Sequence, residues 1–144
     1  MQIATLILEN PIFSAPMAGI SDLPYRLIMK RHGAALVFTE MISANGLFFN
    51  GEATRALLKS RQEEHPLAVQ LFGDDPGRMA KAAQYVADYG ELIDLNLGCP
   101  VRKVIRSGAG SALLREPLKV AGIIAAVRKV TGKPLTIKFR SGWD

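Results

Sequence analysis

The stretch LIDLNLGC, residues 92–99, alternates apolar and polar side chains, which is the pattern of a β-strand with two different faces. LAVQLFG, residues 67–73, and LTIKFRSG, residues 135–142, alternate in the same way. The polar positions of these three stretches are Gln70, Asp94, Asn96, Thr136, Lys138 and Arg140. We therefore predict a sheet with one face packed on helices and the other face carrying polar groups.

β-rich runs alternate with helical patterns along the chain. The predicted strands cover residues 11–17, 35–43, 66–73, 92–99 and 134–142. The predicted helices cover residues 21–33, 51–64, 74–90 and 116–132. Strict alternation predicts a parallel sheet with helical crossovers, either an open doubly wound sheet or a (β/α)8 TIM barrel. Central strands of an open sheet are apolar on both faces, so the polar positions favour the barrel, where they point inward near the carboxyl-terminal mouth.

The number of elements predicts a partial domain. Five strands and four helices are just over half of an eight-fold barrel. An open half-barrel exposes strand edges and apolar surface. We therefore expect residues 1–144 to be part of a barrel domain from a longer protein, and we expect this part alone to self-associate.

The composition is typical of one globular domain in a reducing compartment. Of the 144 residues, 49% are hydrophobic and 22% are charged. A single cysteine, Cys99, excludes an internal disulfide. Neither a signal-peptide pattern nor a run of about 18 apolar residues occurs. We expect a cytoplasmic protein without a membrane segment.

Positive charge is concentrated in the last third of the chain. Residues 1–100 carry 8 Lys or Arg and 11 Asp or Glu, a net charge of −3. Residues 101–144 carry 10 Lys or Arg and 2 Asp or Glu, a net charge of +8. This asymmetry indicates either a surface for a polyanion or the solvated faces of ordinary helices.

Residues with chemical potential are predicted to meet at the strand ends. The first strand ends in small residues, 16–19, that let a flat ligand approach the backbone. The later strands and the loops after them supply Gln70, Asn96, Cys99, Lys138 and Arg140. These groups suit a planar, polar, electron-accepting ligand better than a metal, and no His, Cys or Asp cluster has the spacing of a zinc site. We expect no metal.

Each of these residues also has a structural interpretation. A single cysteine is often a small buried hydrophobic residue. Gln70 and Asn96 can be satisfied core amides, and Lys138 can extend to the rim of a barrel. Four such residues in register at one mouth favour a site.

The two histidines are expected to be structural, and GAGSALL is a weak nucleotide signature. GAGSALL, residues 108–114, has the glycines of a phosphate loop but neither the preceding strand nor the ending GK[ST]. His32 stands at a predicted helix end, and His65 precedes a proline at a turn.

The motifs carry a family resemblance. NLGCPVRKV, GAGSALL and TIKFRSGW, together with APMAGISDLPYR, FTEMIS and VQLFG in matching order, resemble the bacterial tRNA-dihydrouridine synthases. The resemblance covers residues 9–144. It implies an FMN-dependent barrel followed by a helical RNA-binding domain. It also implies that selected uridines in tRNA are reduced to dihydrouridine with NADPH or NADH.

The resemblance assigns several residues to the flavin. It implies that the backbone of Pro16, Met17 and Ala18 lines the flavin. Gln70 would hydrogen-bond the edge of the isoalloxazine ring. Lys138 would lie near the N1/O2 end of that ring, where a cation stabilises negative charge on the reduced flavin.

Other residues are implied to meet the RNA. Asn96 would lie where the flavin meets the uracil, and Cys99 would be the catalytic acid. Uracil accepts a hydride at C6 because its C5=C6 bond is conjugated to the C4 carbonyl, and a thiol can then supply the proton for C5. Lys103, Arg106, Arg140 and the GAGSALL loop would lie beside the incoming RNA, whose target base must leave its stack.

Two alternatives fit parts of the sequence. The nearest enzymatic alternative is another flavin barrel that acts on a free pyrimidine, as a dihydroorotate dehydrogenase does. The basic segment after Cys99 favours RNA, because a free base needs no cationic surface. The second alternative is an inactive fragment with at most a binding role, because the family's helical domain and later flavin-phosphate residues lie outside these 144 residues.

Overall fold

The computed structural model describes residues 1–143 and has an α/β fold. Its strands are β1 (Gln2–Ile3), β2 (Leu6–Ile7), β3 (Val37–Phe38), β4 (Ile42–Ser43), β5 (Leu67–Phe72), β6 (Leu92–Leu97) and β7 (Leu135–Phe139). Its α-helices are α1 (Leu23–Arg31), α2 (Ala44–Phe48), α3 (Glu52–Ala56), α4 (Pro76–Val86), α5 (Arg102–Arg106) and α6 (Pro117–Val130). Short 3₁₀ helices cover Gln62–Glu64 and Gly110–Arg115.

The central sheet is parallel, and its strands follow one another in chain order. β3 pairs with β5, β5 with β6 and β6 with β7, while β4 pairs with the carboxyl-terminal part of β5. A doubly wound sheet reverses its strand order at the switch point, and this sheet does not. The predicted α/β class is therefore confirmed, and the parallel sheet is consistent with part of a (β/α)8 barrel.

One face of the sheet packs against α4 and α6, as the apolar positions predict. The buried strand residues of this core include Val69, Leu71, Ile93, Leu95 and Leu97. They cluster with Met79, Ala82, Ala83 and Val86 of α4 and with Ile123 and Val127 of α6. Each large apolar side chain buried in this way stabilises the fold by about 1.5–3 kcal/mol.

The opposite face is apolar at the amino end of the strands. Ala68 and Leu92 are fully buried there and cluster with Leu8 and Leu36. The antiparallel hairpin β1–β2 packs Leu6 and its neighbours against this cluster. This hairpin was not predicted from the sequence. The hairpin covers the amino end of this face, so the uncovered part of the face lies toward the carboxyl ends of the strands.

The predicted strand at 11–17 is wrong, because this segment forms only an isolated bridge. Phe13 pairs in parallel with Leu36, and Ser14 N donates to Leu36 O at 3.0 Å. Pro11 and Pro16 bound the segment and lack the N–H groups that a longer ladder needs.

Two other predicted elements are divided. The strand at 35–43 splits into β3 and β4, with Thr39 Oγ1 rather than a backbone carbonyl accepting the Gln70 N–H at 3.1 Å. The helix at 51–64 is only α3 followed by a 3₁₀ turn. The helices α2 and α5 and the 3₁₀ helix after α5 were not predicted, because five or six residues are too few to show a periodic pattern.

A buried ion pair ties α1 to the segment before β5. Arg26 is 1% exposed and Glu64 is fully buried, and Arg26 Nε lies 2.5 Å from Glu64 Oε2. Arg26 Nη1 donates to Ser21 O at 2.8 Å, and Nη2 donates to Lys59 O at 2.7 Å and to Glu64 Oε1 at 3.1 Å. Because every polar group of the pair is satisfied, its desolvation is compensated.

Candidate active site

A cleft of about 360 Å³ opens on the inward face of the sheet. It is lined by Asp94 of β6, by Thr136 and Lys138 of β7, and by the segment 13–16. Ser14 Oγ in this segment is buried and has no hydrogen-bond partner among the described residues. An unpartnered hydroxyl beside a mainly apolar cleft with a few polar side chains fits a ligand that brings its own hydrogen-bonding groups.

A chain of hydrogen bonds runs from the loop after β6 across the sheet. Asn96 Oδ1 accepts from the backbone N–H groups of Gly98 at 3.2 Å and Cys99 at 2.9 Å. These bonds fix the amide, so that Asn96 Nδ2 donates to Gln70 Oε1 at 2.9 Å. Gln70 Nε2 in turn donates to Asp94 Oδ2 at 2.6 Å. The cysteine loop therefore sets the orientation of both amides.

Asp94 is the last residue in this series of hydrogen bonds, and it lines the cleft. Its Oδ1 accepts the Thr136 hydroxyl at 2.6 Å. Burial raises the pKa of Asp94 above its ordinary value, and the hydrogen bonds from Gln70 and Thr136 and the charge of Lys138 offset only part of this rise. An acidic group with a raised pKa in a cleft is typical of functional sites.

The loop that carries Cys99 is held by its backbone. Cys99 itself is half-buried. Arg140 Nε donates to Gly98 O at 2.6 Å, and Ser111 N donates to Cys99 O at 3.0 Å. The exposed Arg140, predicted to contact RNA, therefore also braces the cysteine loop.

Gly110 allows the GAGSALL segment to approach that loop. It has a φ of +61°. A Cβ atom at this position would lie 2.6 Å from Cys99 O and 2.8 Å from Val104 Cγ1. Glycine is required for both reasons. The segment, expected from sequence not to be a phosphate loop, serves here as a support for the cysteine backbone.

The turn at residues 17–21 is held by the Ser21 side chain. Ser21 Oγ accepts the Met17 N–H at 2.7 Å and donates to Met17 O at 2.9 Å. Gly19 has a φ of +74°, and its N–H donates to the Glu40 carboxylate. Pro16 lines the cleft, and Ala18 is exposed.

The structure brings some of the predicted residues together and leaves others on the surface. Gln70, Asn96 and the Cys99 loop are joined by hydrogen bonds, and Pro16 and Lys138 line the adjacent cleft. Lys103 and Arg106 are exposed on α5, the helix that follows the cysteine loop.

Asp94 and Thr136 connect the amides to the cleft, and neither was predicted from the sequence to be a site residue. The positions of both residues in the sequence could have identified them. Asp94 stands two residues before Asn96 on the same face of β6, and Thr136 is its partner in register on β7.

Among residues 1–143, no three His, Cys, Asp or Glu side chains are grouped so that they could hold a metal ion. In the same part of the chain, no helix is long and apolar enough to cross a membrane. His65 contacts Glu91 at 2.9 Å just before β5, at the amino end of the sheet.

A parallel α/β sheet with its polar cluster and cysteine loop at the carboxyl ends of the strands has the site layout of barrel enzymes. Residues 13–144 match the family described as dihydrouridine synthase (Dus). The chain belongs to the dihydrouridine synthase family.

Curated relatives agree with this assignment. The chain is 48% identical over its whole length to tRNA-dihydrouridine synthase B of Pasteurella multocida, and covers 44% of that protein. It is 41% identical over its whole length to the protein of the same name from Pseudomonas aeruginosa, again covering 44%. The resemblance to the bacterial branch is confirmed. The chain spans less than half the length of these relatives.

Proposed function

We propose that the chain is the amino-terminal part of the FMN-binding TIM-barrel domain of a tRNA-dihydrouridine synthase. The complete enzyme would reduce specific uridines of cytoplasmic tRNA to 5,6-dihydrouridine with NADPH or NADH. The rest of the barrel and a helical tRNA-binding domain would lie outside residues 1–144. The observation that carries this proposal is the hydrogen bonding of Asn96 to the Cys99 loop beside the cleft.

The residues of the cleft fit FMN. Apolar side chains such as Phe13 and Phe38 line it together with Lys138 and the unpartnered Ser14 hydroxyl. A flat ring with polar edges needs this combination of surfaces. When bound, FMN would supply the hydride for C6 of uracil.

Individual residues would hold the flavin in the following way. The backbone of Pro16, Met17 and Ala18 would line the ring. Lys138 would place a positive charge at the N1/O2 end. Gln70 is 1% exposed and already uses its Oε1 and one Nε2 hydrogen within the protein. Its second Nε2 hydrogen would donate to the edge of the ring.

Cys99 would act as the acid that protonates C5 of uracil. Its loop is held in place by Asn96, Ser111 and Arg140, so the thiol needs little reorganisation when the base arrives. Asn96 would lie where the flavin meets the uracil. Lys103, Arg106 and the free guanidinium nitrogens of Arg140 would neutralise phosphates of the RNA.

The substrate is tested by comparing unmodified tRNA with free pyrimidines in the full-length natural protein. We expect NADPH- or NADH-dependent formation of dihydrouridine in tRNA and none with a free pyrimidine. Turnover of the free pyrimidine alone would support a dihydroorotate dehydrogenase-like enzyme instead. Replacing both Lys103 and Arg106 with glutamine is expected to raise KM for tRNA and to reduce its dependence on salt.

Residues 1–144 by themselves are expected to self-associate and to bind FMN weakly. β7 is the edge strand of the sheet, and Phe139 on it is 59% exposed. The cleft is open beside this edge. Sedimentation of the 144-residue polypeptide would show this association, whereas a flavin-loaded monomer would contradict it.

A further inference from the structure

A surface on the outer side of α2 and α4 combines exposed aromatic rings with cations. We name it the aromatic–cationic patch, and it consists of Phe48, Phe49, Arg78, Lys81 and Tyr85. Phe49 is 70% exposed and Phe48 is 46% exposed. Their ring centroids lie 5.1 Å apart in an edge-to-face arrangement. Two adjacent phenylalanines left in solvent call for a binding partner.

The cations of the patch are placed over these rings. The Arg78 guanidinium carbon lies 5.3 Å from the Phe48 centroid and 5.7 Å from the Phe49 centroid, and Lys81 Nζ lies 5.3 Å from the Phe48 centroid. Arg78 Nη1 also donates to Asn45 Oδ1 at 2.9 Å. Among residues 1–143, neither Arg78 nor Lys81 forms a salt bridge. Both charges are therefore available to an anion.

The patch begins at the same edge of the sheet as the cysteine loop. α2 starts directly after β4, and α4 starts four residues after β5, so both helices leave the carboxyl ends of their strands. Arg78 lies in the first turn of α4, and Lys81 and Tyr85 follow on the next two turns. A polymer that enters the site at the strand ends could thus continue over this surface.

We propose that the aromatic–cationic patch binds unpaired nucleotides of the RNA substrate, with a base stacked on Phe49 and phosphates held by Arg78 and Lys81. Exposed rings interleaved with unpaired cations are the surface that single-stranded RNA requires. A second copy of this chain, which we expect to associate through the open β7 edge, is a poorer occupant of the patch, because Arg78 and Lys81 repel cations and the chain has a net charge of +5. This inference rests on the proposed function, since it concerns the same RNA.

The stacking is tested with Phe49→Ser in the full-length natural protein, with unmodified tRNA as the probe. We expect the Kd for tRNA, measured by fluorescence anisotropy, to rise about tenfold, and KM to rise with it. Phe49→Trp keeps a stacking surface and should restore binding. Leu118→Ser removes a side chain that is 88% exposed on α6, outside the patch, and serves as the matched control.

The phosphate contacts are tested by salt dependence. Arg78→Gln and Lys81→Gln should each lower the slope of log Kd against log salt by about one, whereas the exposed Lys129, changed to Gln, should leave it unchanged. The proposal is overturned if Phe49→Ser binds tRNA like the wild type. It is also overturned if that variant changes the sedimenting mass, because the patch would then hold protein. Absence of uridine reduction by the wild type would defeat the proposed function, while the Kd comparison would still test the patch.

Discussion

The two ends of the parallel sheet hold their carboxyl groups in opposite ways. Before β6, burial raises the pKa of Glu91, but hydrogen bonds from Leu67 N and His65 outweigh it, and the pKa lies below its ordinary value. Within β6, burial raises the pKa of Asp94, and its hydrogen bonds do not compensate. The ionised Glu91 at the amino end therefore stabilises the fold, whereas ionisation of Asp94 toward the carboxyl end destabilises it. Such a destabilised carboxyl group is typical of functional sites.

The packing of the inward side chains also differs between the two ends of the sheet. The inward positions of β5 and β6 are Ala68 and Leu92 at the amino end, where the hairpin β1–β2 covers them. Further along, the inward positions are Gln70, Asp94 and Asn96, next to the cleft. In barrel enzymes, catalytic groups occupy the carboxyl-terminal end and the other end supports stability. The difference predicts separable effects of mutations at the two ends.

The largest loss of stability is expected from Leu8→Ala at the amino end. Leu8 is 3% exposed and packs in the cluster under the hairpin. Its truncation leaves a cavity and should lower the free energy of unfolding by about 2–5 kcal/mol, measured by denaturant titration. Leu118→Ala on the surface of α6 should change it little. Equal effects of the two variants would contradict the closed amino end.

At the carboxyl end, Gly110→Ala should act mainly on activity. The added Cβ would push on Cys99 O and shift the cysteine loop. We expect kcat/KM for uridine reduction in the full-length protein to fall about 100-fold. Gly132→Ala, at the amino end with open space around it, is the control. If the Gly110 variant kept full activity, the loop would not need this support.

The pH dependence of stability should be reversed between the two carboxyl groups. The raised pKa of Asp94 favours folding while the group is protonated, so this contribution is lost as pH rises from 3.8 through the folded-state pKa. Relative to Asp94→Asn, the wild type should therefore lose stability as pH rises above the ordinary aspartate pKa of 3.8. Unfolding titrations across this range measure the slope, and a slope of opposite sign would overturn the assignment.

Glu91→Gln should give the smallest effect and the opposite slope. The lowered pKa of Glu91 stabilises the fold above 4.5, and this contribution is lost as pH falls through the folded-state pKa. Because the side chain is 38% exposed, the cost at neutral pH should be below about 1 kcal/mol. Unfolding titrations at pH 3.5 and 7 compare the variant with Glu52→Gln on the surface. A wild-type advantage that grows at low pH would contradict the lowered pKa.

The sequence predicted long elements better than short ones. The alternation in β5, β6 and β7 predicted the apolar face and the inward Gln70, Asp94 and Asn96, because the period of two fixes side-chain direction. It could not predict the hairpin β1–β2, whose strands have two residues each. Nor could it show that Asp94 joins the amides to the cleft, because such bonds depend on how neighbouring strands are registered.

The central claim is that Cys99 is an acid and not a structural residue, and one measurement tests it directly. The full-length protein and its Cys99→Ala variant are loaded with FMN, and dihydrouridine formed in unmodified tRNA is quantified with NADPH or NADH. We predict that the variant keeps its bound yellow FMN and loses most of its product, while Val101→Ala in the same loop keeps both. Wild-type product formation by Cys99→Ala would contradict the account.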